Sequence, residues 1–131
     1  MIFVFHKLLM ALATLCMLTG ISTAVFFRRN RYWLKIHKSF NSTAVIFLLT
    51  GVITAIIMIG QQKREHLDGF HPVAGSIALG LTIISLFLGF YQFKAKAGIQ
   101  VVKILHPWLG RLSLLSLIVA LISGLFRAGI I

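Results

Sequence analysis

The chain has 131 residues, 59% of them hydrophobic, and a mean hydropathy of +0.98. That is more apolar surface than a soluble fold of this size can bury, so lipid is the expected solvent. Thirteen Lys and Arg face only two acids, Glu65 and Asp68, for a net charge of +11. The basic residues cluster between long apolar runs, which argues against a nucleic-acid surface and for cationic loops beside an anionic membrane.

The first uncharged run, twenty residues between Lys7 and Arg28, predicts a helix over about 5–27. Its Ser22-Thr23-Ala24 end is compatible with a cleaved leader. The run is longer than a leader's apolar segment and repeats in the second run, so it is expected to be retained. Cys16 lies inside it with no partner for a disulfide or a metal, and reads as a small packing residue. The second run, twenty-four residues between Lys38 and Lys63, predicts a helix over about 36–60. The third, from Gly69 to Phe93, predicts 69–92, and the fourth, Ile104 to Phe126 with Arg111 near its start, predicts 102–126. Each can cross about 30 Å of hydrocarbon at about 1.5 Å per residue. The expected fold is all-α: one integral membrane, antiparallel four-helix bundle over residues 1–131.

Short connections at Arg28 to Trp33, Gln61 to Asp68 and Lys94 to Lys103 force neighbouring helices to run antiparallel. One face then carries nine basic residues: Arg28, Arg29, Arg31, Lys35, Lys38, Lys94, Lys96, Lys103 and Arg111. The other carries four: Lys7, Lys63, Arg64 and Arg127. The positive-inside rule puts the richer face in the cytoplasm and both termini outside.

Two internal repeats mark candidate functional positions. Shifting His6 by thirty-one residues onto His37 also superposes Lys7 on Lys38, Ala13 on Ala44, and Leu18-Thr19-Gly20 on Leu49-Thr50-Gly51. Shifting His71 by thirty-five onto His106 superposes Pro72 on Pro107, Gly75 on Gly110 and Gly89 on Gly124. Equivalent positions are expected to do equivalent work. A glycine follows each histidine by fourteen residues in the first two helices and by eighteen in the last two. At about 100° per residue both offsets return to within about 40° of the histidine's face. Proline is tolerated in a first helical turn, so Pro72 and Pro107 place His71 and His106 at helix starts.

In antiparallel order His6 and His71 share the outer depth, and His37 and His106 the inner one. Two opposed imidazoles with glycine-cleared walls form a slot for a flat macrocycle, and bundle cores commonly hold such cofactors. The expected ligands are His6 and His71 for an outer haem iron and His37 and His106 for an inner one. Gly75 and Gly110 would line the haems, and Arg111, ahead of Lys7 and Lys38, would meet propionates. The bland reading is four satisfied histidines at helix interfaces, with snorkelling cations. Ionisable groups in lipid are costly, however, and one per helix at paired depths argues for a function. Zinc would want three or four ligands at one depth. Bis-histidine iron has no open position, so the chemistry is outer-sphere electron transfer rather than oxygen activation. His66, beside Glu65 and Asp68, reads as a solvated loop residue or as an outer proton donor.

These residues resemble the cytochrome b561 family over nearly the whole chain. The resemblance is carried by His6, Lys35-x-His37, His71-Pro-x-x-Gly75 and His106-Pro-x-x-Gly110 with Gly124. It implies a four-helix core with two b-type haems, ligated by the first helix with the third and the second with the fourth. It also implies electrons passing from cytoplasmic ascorbate to monodehydroascorbate or ferric iron outside, with Lys35 near the donor site. Typical eukaryotic members have six helices, and by that resemblance the chain is expected to correspond to the four-helix core. Quinol or a partner protein could replace ascorbate as donor, and a homodimer is an assembly such a bundle admits. The alternatives are a haem-bearing membrane anchor or quinol-oxidising subunit serving a partner oxidoreductase, and a haem-free four-helix transporter or assembly factor. The location is multi-pass in a membrane, the inner or plasma membrane in a bacterial cell.

Overall fold

A computed structural model describes residues 1–61, 69–94 and 99–130. Its four helices are α1 (Ile2–Phe26), α2 (Trp33–Gln61), α3 (Phe70–Lys94) and α4 (Ile99–Arg127). All four are long and apolar enough to cross a membrane. At about 1.5 Å per residue the shorter pair spans about 37 Å and the longer about 43 Å, both beyond a hydrocarbon core of about 30 Å. Large apolar side chains point outward at mid-span: Ile46 is 62% exposed, Leu115 59% and Phe87 69%. In water such a surface would aggregate, whereas in lipid it is solvated.

Because lipid is as apolar as leucine, helix association depends on close packing, and the buried positions are small. Ala13, Ala78, Ala120 and Ser113 are fully buried, with Ala44, Leu48 and Leu117 beside them. Buried hydroxyls bond to their own helices: Thr14 donates to the Met10 carbonyl at 2.8 Å, Thr82 to Ala78 at 2.6 Å and Ser113 to Leu109 at 2.7 Å. Such back-bonding satisfies the hydroxyl without a partner from another helix.

The bundle is two hairpins. α1 packs along α2 and α3 along α4, while the hairpins meet only sparingly through α1–α4 and α2–α3. The diagonals, α1–α3 and α2–α4, make no backbone contact. A seam is therefore left between the hairpins. The α1–α2 turn is closed by Asn30, whose side-chain oxygen accepts from the Tyr32 N–H at 2.8 Å. At the far end of α4 the Ile130 N–H reaches the Leu125 carbonyl and the Gly129 N–H reaches Phe126. This termination needs a left-handed residue, and Gly129 supplies it at φ +66°.

The boundaries depart from expectation mainly at the basic end. α2 starts three residues earlier than predicted, and α4 starts at Ile99 instead of 102. Pro107 therefore lies inside α4 and not in its first turn, and His106 is two turns into the helix. A proline deletes one donor, its own, and membrane helices absorb that loss when neighbours pack against the site. Pro72 does stand in the first turn of α3. His66 lies outside the described residues, as do Lys63, Arg64, Glu65, Asp68 and Lys96.

Candidate functional site

The four helix histidines meet across the diagonals. The rings of His6 (α1) and His71 (α3) have centroids 6.2 Å apart at an interplanar angle of 81°. Those of His37 (α2) and His106 (α4) are 6.0 Å apart at 89°. The pairing expected from antiparallel order is the one observed. These rings reach across the seam between helices that share no backbone contact.

Each imidazole is tied at Nδ1 to a carbonyl of the other helix in its hairpin. His6 donates to Gly51 and His37 to Gly20, both at 2.8 Å. His71 donates to Ala120 at 2.8 Å and His106 to Ser85 at 3.0 Å. These bonds are reciprocal: Gly20 and Gly51 are equivalent under the thirty-one-residue repeat, Ser85 and Ala120 under the thirty-five-residue one. A carbonyl can only accept, so Nδ1 carries the proton and Nε2 is left with its lone pair. Among the described residues none of the four Nε2 atoms has a hydrogen-bond partner. A second bond that fixes tautomer and ring orientation is the usual support of a metal-ligating histidine. Nitrogens about 2.0 Å from a shared metal, each about 1.1 Å from its ring centre, would put the centroids about 6.2 Å apart. Both pairs match that spacing.

Among the described residues no three metal-binding side chains come together, so the centres are pairs. Two axial nitrogens suit a metal whose other positions are already filled, as in a porphyrin, and not a bare zinc ion. Beside His37 and His106 lies a cavity of about 420 Å³ in the seam. That is within the usual size of cofactor pockets, about 300–1,000 Å³. Its walls include Met17, Val45, Leu86 and Phe90, and it is also lined by Arg28, Lys38, Lys103 and Arg111, with no acid among the described lining residues. Aromatic rings stand against three of these cations. The Lys38 ammonium stands 4.1 Å from the Phe93 ring centre, and the guanidiniums of Arg111 and Arg28 lie 5.3 and 5.8 Å from Trp108 and Trp33.

The glycines act differently from the sequence expectation. Gly20, Gly51, Gly89 and Gly124 do lie at the depths of the histidine pairs, but protein fills the space they leave. A Cβ on Gly124 would stand 2.8 Å from His71 Cε1, and one on Gly89 2.9 Å from His106 Cε1. One on Gly51 would meet Met10 Sδ at 2.9 Å, and one on Gly20 would collide with the Asn41 amide. The late glycines seat the imidazoles and their neighbours, and Gly89 also lines the cavity beside His37 and His106. The early pair fits the expectation better. Gly75 has nothing within 4 Å of an added Cβ, and Gly110, on the cavity wall, has only Ser85 Oγ at 3.5 Å.

Arg111 and Lys38 line the cavity as expected, but Lys35 does not. It is exposed, in a surface patch with Arg31, Lys38 and Ser39. Sequence reading gave Arg28 no role beyond topology, and it missed Asn41 altogether. Asn41 donates to the His37 carbonyl at 2.7 Å. The available signal was an asparagine one turn after a histidine, on the same face of the helix.

Compared with known proteins, residues 1–130 match the sequence model of the family described as eukaryotic cytochrome b561. No curated protein and no solved structure matches the chain.

Proposed function

The chain belongs to the cytochrome b561 family, whose members move electrons across membranes through haem, and on that premise we propose that it is a two-haem wire. His6 and His71 would hold one b-type haem and His37 and His106 the other. Bound in this way, the haems would supply one-electron, outer-sphere transfer. The protein contributes placement. Reciprocal Nδ1 bonds fix the four rings, and the band of Ala13, Met17, Leu48, Ala78 and Leu117 keeps water from the interval between the pairs. Arg28, Lys38, Lys103 and Arg111 offer positive charge to the carboxylates of a macrocycle seated at the basic end. Gly110 leaves room on the cavity wall beside His106, and Gly75, one turn after His71, has open space about it.

The basic end faces the cytoplasm in this reading, because short cationic loops resist translocation. An anionic, ascorbate-like reductant would be drawn there by the cavity's cations and the Arg31, Lys35 and Lys38 patch. The acceptor, ferric iron or monodehydroascorbate, would meet the opposite end. The observation that carries the proposal is the pair of near-perpendicular diagonal histidine couples, 6.2 and 6.0 Å apart. The test is haem stoichiometry with a visible spectrum of the purified protein. Two low-spin b-type haems per chain are expected. One haem per chain, or a high-spin spectrum with an open iron position, defeats the reading.

A further inference from the structure

The thirty-one-residue repeat places Asn41 on Met10, each four residues after its histidine. That offset puts both side chains one turn along the histidine's own face. Both also press against the glycine of the facing helix, Met10 on Gly51 and Asn41 on Gly20. The backbone arrangement is repeated, but one site has a thioether where the other has an amide.

The amide's orientation follows from its contacts. Its nitrogen lies 2.7 Å from the His37 carbonyl oxygen and 3.1 Å from His37 Nδ1. Exchanging amide nitrogen and oxygen would set two acceptors against each other at 2.7 Å, so the nitrogen stands where it is assigned. The Nδ1 proton is already committed to the Gly20 carbonyl at 2.8 Å. Asn41 therefore does not accept from the ring, and it turns the positive end of its dipole toward it. Donation from Nδ1 to a carbonyl makes an imidazole a more basic ligand. A positive dipole end beside the same nitrogen opposes that effect and disfavours the more positive, oxidised metal. His6 has the carbonyl bond without the dipole.

We infer that Asn41 is a positioning residue that makes the His37–His106 centre easier to reduce than its own ligand set would, an adjustment with no counterpart at the position the repeat makes equivalent beside His6. This rests on the two-haem reading. The test uses the full chain with its haems in lipid nanodiscs, in three forms: unchanged, Asn41→Leu and Met10→Asn. Leucine keeps the branched shape and removes the amide, and Met10→Asn adds an amide at the equivalent place. Haem content is measured first, then each haem's midpoint potential by spectroelectrochemical titration, with components assigned by His37→Ala and His6→Ala.

Asn41→Leu should retain two haems and lower the reduced-to-oxidised ratio of the His37 component about three- to tenfold at fixed potential. At 59 mV per tenfold this is a fall of about 30–60 mV. The His6 component should not move. Met10→Asn should raise the His6 component alone. Two haems with unmoved potentials in Asn41→Leu, or equal shifts of both, overturn the inference. If Asn41→Leu loses its haem, Met10→Asn decides, and no rise there overturns it. One haem in the unchanged chain defeats the two-haem reading itself.

Discussion

The two ends of the bundle hold nearly the same histidine couple in different surroundings. At the His37–His106 end the seam opens into a cavity with four cations lining it, and the rings are partly exposed. At the His6–His71 end His6 is buried, and Lys7 faces the ring of Phe3 with its ammonium 4.5 Å away. His71 shares its Nδ1 proton with Ser123 Oγ at 3.3 Å, where the repeat puts Leu88 beside His106. Histidine geometry thus follows the repeat, while the electrostatic surroundings depart from it. A symmetric scaffold can hold two similar centres and still give them different neighbours.

The largest effect tests the pairing itself. His6→Ala and His71→Ala should each remove the same one of two haems, and His37→Ala and His106→Ala the other, read as halved haem content and loss of one spectral component. Loss of the same component from His6→Ala and His37→Ala would break the diagonal pairing.

Next come the glycines of the His71 depth. Gly124→Ala drives a Cβ to 2.8 Å from the His71 ring, and overpacking of this kind costs about 1–3 kcal/mol. It should displace His71 and deplete that end's haem. Gly75→Leu meets open space, so the helical fold should survive by circular dichroism while the same haem is lost. Full haem content in Gly75→Leu would remove Gly75 from the site.

A smaller effect separates the ends by charge. Lys35→Ala should slow reduction by ascorbate about two- to fivefold at low salt, as expected when one cation leaves a steering field. Haem content should stay intact and the salt dependence of the rate should flatten. Stopped-flow reduction in inside-out vesicles measures this. An unchanged rate and salt dependence would favour a membrane quinol or a partner protein as donor.

The smallest effect is expected at Thr82, a lining residue of the cavity beside His37 and His106. Thr82→Val removes a hydroxyl bonded only to its own helix, so stability should change by less than about 1 kcal/mol. Both haem spectra should be unmoved. A selective change in one spectrum would show that the mid-bundle hydroxyls belong to that centre.

The four spans, their antiparallel order and the pairing of His6 with His71 and His37 with His106 were legible in the sequence. Twenty apolar residues have one stable form in lipid, and short loops leave one order of depth. Family resemblance was legible for the same reason, since His-Pro-x-x-Gly and Lys-x-His are local patterns. Boundaries such as the start of α4 were not, because whether Pro107 ends a helix or sits within it depends on what packs around it. The glycines show the same division. Helical periodicity placed Gly20, Gly51, Gly89 and Gly124 at the right depth and on the right face, because rise and twist are properties of a single helix. What fills the space left by a missing Cβ belongs to a neighbouring helix, and only tertiary packing decided that His71, His106, Met10 and Asn41 occupy it. The proton on each Nδ1 was decided in the same way. No single helix contains both the ring and the carbonyl that orients it.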